Sequence, residues 1–249
     1  MKKKKFFIIS KKNNILRKLY FYYNIYIRNN KFLKNSSQFG EDKFIINKFE
    51  NNYKGKYLDL GCFHPTRHSN TNLLYKNGWS GINIDLNPFT IELFNFMRPN
   101  DVNINVGISN DANEKNLYFI NEFNTQNTLD QSQLSFLINQ HNVNKNEIKK
   151  KKIKTQKLDK ILKENYFNKI DFFNIDIEGH ELEVIKTIDF NQIKFRFICI
   201  EMINFNKASK DKSKKIEDIL FKNNFNIIKK FGFNYIFENK KFDYTWNCQ

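Results

Sequence analysis

The chain has 249 residues, with 42 lysines and arginines against 26 aspartates and glutamates, a formal net charge of +16, and three cysteines. This length suits one α/β domain with an N-terminal extension, and Cys62, Cys199 and Cys248 form neither a C-x-x-C pair nor a metal-ligand spacing, which fits reduced thiols in a cytoplasmic setting. The positive balance admits an anionic partner, yet lysine and asparagine are abundant throughout while Ala, Gly and Pro are sparse, as AT-rich codon usage would produce, so charge alone selects no partner.

Met1 to Ser10 carries four lysines and the short apolar run Phe6-Phe7-Ile8-Ile9, too short for the core of a secretory signal. Ile15 to Ile27 reads as an aromatic helix whose Arg17, Lys18 and Arg28 keep it from being a membrane span. Such a helix packs across the domain or lies on an anionic membrane surface; the first is favoured. Residues 1–35 are therefore expected to form a basic, aromatic helical extension and 36–249 the main domain. Next, Ser36 to Asp42 leads into Phe44, Ile45, Ile46 and Phe49, an amphipathic helix docking on the core, with a serine or acid capping its start.

Lys56 to Leu60 predicts a strand, and Gly61 a sharp turn. Ser69 to Lys76 predicts a helix ended by Asn77-Gly78, and Gly81 to Asp85 a second strand closing on a carboxylate. Asp85 lies 26 positions after Asp59, near the offset from glycine turn to ribose-binding acid in dinucleotide folds. A buried β-α-β unit without ligand is the alternative. Pro88 to Met97 predicts a helix with proline in its first turn, and Asp101 to Ser109 a strand ending at Gly107. Leu117 to Ile120 predicts a short strand, and the Asn-, Gln- and Ser-rich stretch 121–146 a long loop with a helical turn around 133–139. Lys149 to Lys152 reads as a solvated charge run, and Gln156 to Asn165 as a helix.

Ile170 to Ile177 predicts a buried strand ending in a polar cluster, Asp176, Glu178, Gly179, His180 and Glu181. A helix follows, then strand Phe195 to Ile200 closed by Glu201, helix Ser213 to Asn223, and a hairpin of Phe225 to Lys230 with Phe233 to Glu238. Strands alternating with helices predict an α/β fold, a seven-stranded, mostly parallel Rossmann-like sheet with a C-terminal antiparallel hairpin. That is the arrangement of class I methyltransferases.

In open α/β sheets ligands sit beyond the carboxyl ends of strands where strand order reverses. The strand ends at Gly61 and Asp176 would be neighbours there, so both polar clusters would face one crevice. A cofactor would meet the backbone of Gly61 and Cys62, Asp85 could accept from a ribose diol, and Asp59 could orient the turn or contact an amine. No G-x-G-x-x-G series follows, which argues against a pyrophosphate cofactor and for S-adenosyl-L-methionine. Asp176, Glu178 and His180 are the candidate catalytic residues, able to align an acceptor and take its proton. Alternatively Glu178 caps a helix while His180 and Glu181 are surface residues; a magnesium or manganese site on Asp176, Glu178 and His180 is the weaker reading.

Four motifs, S-Q-F-G-E-D at 37–42, Y-L-D-L-G-C-F-H-P at 57–65, S-N-T-N-L-L-Y-K-N-G-W-S-G-I-N-I-D at 69–85 and F-F-N-I-D-I-E-G-H-E at 172–181, together resemble the FkbM family of S-adenosylmethionine-dependent methyltransferases. The resemblance runs from Ser37 onwards. It implies a class I methyltransferase fold, Asp59 and Gly61 in the glycine turn, Asp85 on the ribose, and Asn70 facing the cofactor. It further implies Asp176, Glu178 and His180 bordering the acceptor, with Gln38 and Asp42 near the mouth of the site. The chain departs from many relatives at Cys62-Phe63-His64-Pro65, where a second small residue is common. The implied activity is O-methylation of a hydroxyl on a glycan or small-molecule acceptor, without sequence-specific nucleic acid. The competing function is a non-catalytic module that uses its basic surface and tyrosine-rich amino end to hold nucleic acid or membrane. A nucleic-acid methyltransferase also fits the charge, but no N-P-P-Y motif follows the fourth strand.

Overall fold

A computed structural model describes residues 13–34, 36–110, 113–119, 147–204 and 206–242. The long loop 121–146, the Phe6–Ile9 run and Cys248 lie outside these residues.

The main sheet has seven strands in the order β3-β2-β1-β7-β8-β10-β9. They are β1 (Lys56–Leu60), β2 (Ser80–Asp85), β3 (Val102–Asn105), β7 (Lys169–Ile175), β8 (Lys194–Glu201), β9 (Phe225–Phe231) and β10 (Asn234–Asn239). The first five are mutually parallel, whereas β10 runs antiparallel to both β8 and β9. Strand order reverses between β1 and β7, which pair in the register Asp59 to Asn174 and Leu60 to Ile175. This switch point opens a crevice at their carboxyl ends.

Side chains alternate across this sheet, and each face has its own core. Leu58, Leu60, Phe173, Ile175, Ile198 and Ile200 pack on one side, beneath helices α5 (Leu158–Glu164), α6 (Glu181–Thr187) and α7 (Lys207–Lys222). Tyr57, Phe172, Phe197 and Cys199 pack on the other, with Ile45 of helix α2 (Glu41–Ile46), Leu74 of α3 (Asn72–Lys76), and Trp79. Asp59 and Asn174 sit on this second face by alternation, which makes them polar positions inside a buried layer.

Several boundaries differ from expectation for local reasons. Helix α3 starts at Asn72 rather than Ser69, because Ser69, Asn70 and Thr71 spend their side chains on tertiary hydrogen bonds. Helix α4 (Pro88–Met97) has the expected bounds, capped by Asn87, which accepts from Phe89 N. The expected strand 101–109 splits: β3 stays in the main sheet, while β4 (Gly107–Ile108) joins a second sheet with β5 (Glu114–Phe119) and β6 (Lys149–Gln156). Thus the lysine run 149–152 is a strand paired with β5, although its four lysines are exposed. Gln156 belongs to that strand and not to α5. Helix α7 begins at Lys207, six residues earlier than read, through a reciprocal capping box between Asn206 and Ser209.

At the amino end, α1 (Asn14–Tyr22) continues into a π-helical segment, Tyr23–Arg28. Tyr20, Phe21 and Ile25 bury against Phe89 and Leu93 of α4, and Arg17 pairs with Glu92 at 2.7 Å. Burying three such side chains is worth about 1.5–3 kcal/mol each, enough to hold the helix on the domain.

Candidate active site

The crevice holds two adjoining cavities that share Gly61, Phe63, Asp176 and Glu178. One, of about 70 Å³, has the apolar walls Leu60, Ile84, Leu86, Val106 and Ile108, with Asp85, Asn87, Thr90 and His180 among its polar groups. The other, of about 250 Å³, is polar and lined by Gln38, Asp59, Cys62, Arg67, His68, Ser69, Asn70, Asn174 and Glu201. Every candidate cofactor-binding or catalytic residue read from the sequence lines one cavity or the other, but several do so differently from what was expected, and Asp42, expected near the mouth, lines neither.

Gly61 turns with φ +80, and a Cβ there would stand 1.7 Å from the Asp176 carbonyl oxygen. Only glycine lets β1 leave the sheet this close to β7. The amides of Gly61 and Cys62 do not face the crevice: both donate to Ile84 O, at 2.9 and 3.3 Å. Cys62 packs against Ile91 and Phe94, and burial raises its thiol well above the ordinary range, so it stays protonated.

Asp59 has both oxygens engaged, Oδ2 accepting from Thr71 Oγ1 at 2.6 Å and Oδ1 from Asn174 Nδ2 at 2.9 Å. Asn70 Nδ2 in turn donates to Asn174 Oδ1 at 2.9 Å. This relay ties the 69–71 loop to the ends of β1 and β7, so Asp59 acts as an orienting group. Arg98, fully buried, extends the relay: its Nη1 donates to Thr71 Oγ1 at 2.9 Å, and its Nη2 to Ser69 Oγ at 3.0 Å and Pro65 O at 2.5 Å.

The turn Cys62–Pro65 explains itself. Phe63 takes a left-handed φ of 48, the conformation that a second glycine would adopt more cheaply. It is held there by its N–H donating to Asp85 Oδ2 at 2.9 Å and its carbonyl accepting from Thr90 Oγ1 at 2.9 Å. His64 fills the inside of the turn. Its Nδ1 accepts from Thr66 N and Arg67 N, which places the proton on Nε2, facing Asn24 Oδ1 at 3.0 Å. Burial, with Arg67, Arg98 and Arg28 nearby, lowers its pKa to about 3, so the ring is neutral.

Asp85, at the end of β2, accepts Phe63 N on one oxygen and Asn87 N on the other, at 2.9 and 2.7 Å. Each carboxylate oxygen keeps a further lone pair for a ligand hydroxyl. Desolvation raises its pKa to about 6 despite those two amides.

Beyond β7, Glu178 also has a left-handed φ of 54 and is followed by Gly179 at 92. Glu181, the first residue of α6, stabilises this turn by accepting from Ile177 N at 3.1 Å and Gly179 N at 3.0 Å. Glu181 is therefore a buried structural acid, not a surface residue, and the helix N-cap is His180 rather than Glu178. Asp42 is likewise buried, bonded to Ser37 at 2.6 Å behind the helix start, and lines neither cavity.

Asp176 and Glu178 meet Glu201, which closes β8, in one acidic wall. Asp176 is open to the crevice, yet the enclosing walls solvate it poorly. That desolvation, with Glu181, Asp59, Asp85 and Glu41 around it, raises its pKa to about 7. Burial and the neighbouring acids Asp176, Glu178 and Glu181 push Glu201 to about 10, and burial and Asp176 raise Glu178. These groups share protons, so they titrate as a unit. Among the described residues, no three His, Cys, Asp or Glu side chains are placed to hold a metal ion.

The sequence reading left Phe63, Arg67, His68, Asn174 and Glu201 out of the site. Two of these carried a usable signal: Asn174 lies one alternation before Asp176, and Glu201 ends the strand beside β7, so its carboxyl end reaches the same crevice.

A family model described as "Methyltransferase FkbM domain" matches residues 51–235. A search among curated proteins found no match. Among solved structures, a Methanococcus jannaschii fibrillarin pre-rRNA processing protein is 15% identical, with 76% of this chain and 69% of that chain covered and a TM-score of 0.39. A TehB-like SAM-dependent methyltransferase from Corynebacterium glutamicum is 13% identical, with 83% of this chain and 91% of that chain covered and a TM-score of 0.40.

Proposed function

The chain belongs to the FkbM family of methyltransferases, and from that premise we propose that it methylates a hydroxyl of a glycan or small-molecule acceptor with S-adenosylmethionine as donor. The observation that carries this reading is Asp85, a carboxylate in the wall of the apolar cavity, with lone pairs left for a diol. The same crevice is a poor phosphate cradle. The amides of Gly61 and Cys62 are taken by Ile84 O, and the acidic wall would repel a pyrophosphate.

On this reading Asp85 holds the ribose hydroxyls, and Leu86, Val106 and Ile108 enclose the adenine. Gln38, Asn70 and the polar cavity receive the amino-acid end, and the shared wall of Asp176 and Glu178 meets the acceptor. Bound there, S-adenosylmethionine supplies an electrophilic methyl group on a sulfonium. Asp59 and Asn174 do not touch the reacting atoms; they hold the 69–71 loop in place. Asp176 takes the proton of the acceptor hydroxyl, since a carboxylate titrating near neutral pH is a competent general base. Glu178 and Glu201, more strongly protonated, act as hydrogen-bond donors to the acceptor's oxygens, and His180 borders it from the apolar side.

Two measurements test this. Titration calorimetry should show S-adenosylmethionine binding to the wild type, weakened about 100-fold by Asp85→Ala, a loss of about 2–3 kcal/mol for two charge-assisted hydrogen bonds. Because the diol donates to the ionised carboxylate, wild-type affinity should fall as pH drops through about 6. No heat with the wild type would sink the assignment. Once an acceptor is found, turnover at saturating substrates should rise with pH across about 7, as the acid cluster loses its first proton. Asp176→Asn should flatten that limb and lower kcat by roughly 100-fold or more; an unchanged limb would remove Asp176 as the base.

A further inference from the structure

The outer face of α1 and the π-helical segment is apolar and uncovered among the described residues. Ile15, Leu19, Tyr22 and Tyr26 recur at spacings of four, three and four, and with Ile27 they are 72%, 55%, 53%, 37% and 55% exposed, respectively. The opposite face, Tyr20, Phe21 and Ile25, is already spent on α4. A helix apolar on both faces has more apolar surface than folding onto its own domain can bury, and the outer stripe is not a scatter of single residues but one continuous strip.

Charge completes the pattern. Residues 1–40 contain eleven lysines and arginines and no aspartate or glutamate, whereas the remaining 209 residues carry only five of the sixteen net positive charges. Uniform codon bias would spread lysine without sorting the acids so sharply. Lys18, Arg28, Lys31 and Lys34 are all exposed beside the stripe. Tyr22 and Tyr26, with ring centroids 5.0 Å apart, put amphipathic rings on that face, where an interfacial helix places them. No described helix is long and apolar enough to cross a membrane, so the arrangement fits a helix lying in the plane of an interface.

We infer that the outer face of residues 15–27 docks on an anionic lipid surface. The apolar strip inserts to the depth of the headgroup and acyl boundary, about 5–10 Å, while Lys18, Arg28 and Lys31 meet the lipid phosphates. The docked helix lies one side-chain layer from the catalytic crevice: Asn24, Arg28 and Asn29 border a small cavity together with Phe63 and Arg67, and these two residues also line the polar cavity. A membrane-held acceptor is thereby brought to the protein, whatever group receives the methyl.

The test is flotation of the full chain with vesicles of phosphatidylcholine containing about 30% phosphatidylglycerol. The wild type should bind at least tenfold more tightly to these than to phosphatidylcholine alone, and 0.5 M salt, an order-of-magnitude choice, should remove most of that preference. Leu19→Ser with Tyr22→Ser should lose at least tenfold in vesicle affinity while keeping its melting temperature and S-adenosylmethionine binding, because both side chains are exposed. Failure of S-adenosylmethionine binding in the wild type would count against the proposed function alone. Equal vesicle binding by wild type and variant overturns the docking inference, as does a dimer that the variant dissociates, or binding to single-stranded RNA without affinity for vesicles.

Discussion

Gly61→Ala is expected to unfold the protein at ordinary temperatures or leave it unable to bind S-adenosylmethionine, with a stability loss of about 3–5 kcal/mol. Two effects add. The residue sits at φ +80, and its new Cβ would stand 1.7 Å from the Asp176 carbonyl oxygen, 2.7 Å from the Asp176 carbonyl carbon and 3.1 Å from Ile177 Cγ2. Backbone cannot swing aside as a flexible side chain can. Relief therefore requires β1 and β7 to part at the point where they carry Asp59, Asn174 and Asp176, and Asp176 N would lose its bond to Leu60 O, now 2.9 Å. Gly40→Ala separates the two effects. Gly40 has φ +95 but nothing within 4 Å of its Cβ position, so only conformational strain of about 1 kcal/mol is expected there. Urea denaturation of both variants decides the matter: if Gly61→Ala is no less stable than Gly40→Ala, the close approach of the two strand ends is not a constraint.

Arg98→Met should cost about 3–5 kcal/mol, because it removes one partner from a buried polar network while leaving the others in place. The guanidinium joins Thr71, Ser69, Pro65 and Tyr57, the last at 3.3 Å, and lies over the Phe94 ring at 4.8 Å. Tyr57 OH donates to Asp101, which also accepts Gly81 N at 2.8 Å and Asn83 Nδ2 at 3.0 Å. Burial raises the pKa values of both Asp59 and Asp101, and Arg98 opposes that rise in each. A buried acid with a raised folded-state pKa destabilises the fold progressively as pH climbs above its unfolded value, about 4. Without Arg98 the rise is larger, so the deficit of the variant should grow between pH 5 and pH 7, chosen as approximate limits around that range. Denaturation at both values measures it; a deficit that shrinks with pH would show that Arg98 does not counter those acids. Cofactor affinity should fall as well, since the same guanidinium anchors the loop carrying Asn70.

What could be read in the chain and what could not divides by range. Lys56–Leu60, Gly81 to Asp85 of the second strand and Pro88–Met97 were legible because apolar runs, a proline in the first turn and a terminal carboxylate are local signals. Glu201 was seen as a strand ending but not as a wall of the crevice, since only pairing of β8 with β7 brings it beside Asp176 and Glu178. The lysine run at 149–152 looked like solvent-exposed coil for the complementary reason. Its strand exists through pairing with Glu114–Phe119, far away in sequence, and four consecutive lysines show no alternation. Arg98 gave no signal whatever, for nothing next to it in sequence tells that Tyr57, Thr71 and Pro65 will surround it.

The sequence by itself determined the α/β class, the alternation that builds the seven-stranded sheet, the family, and part of the set of side chains that line the crevice, Asp59, Asp85 and Asp176 among them. These follow from periodicity, turn chemistry and short motifs, which are properties of neighbouring residues. Only the tertiary structure decided how those side chains are used. Asp59 is held by the side chains of Thr71 and Asn174 and orients the loop, whereas Asp85 is held by the backbone amides of Phe63 and Asn87 at the wall of the apolar cavity. The Gly61 and Cys62 amides face Ile84 rather than the cleft, and three acids from two strand ends share protons. The physical reason is that a polar group's chemistry depends on which partners and how much water reach it, and packing across the sheet sets both.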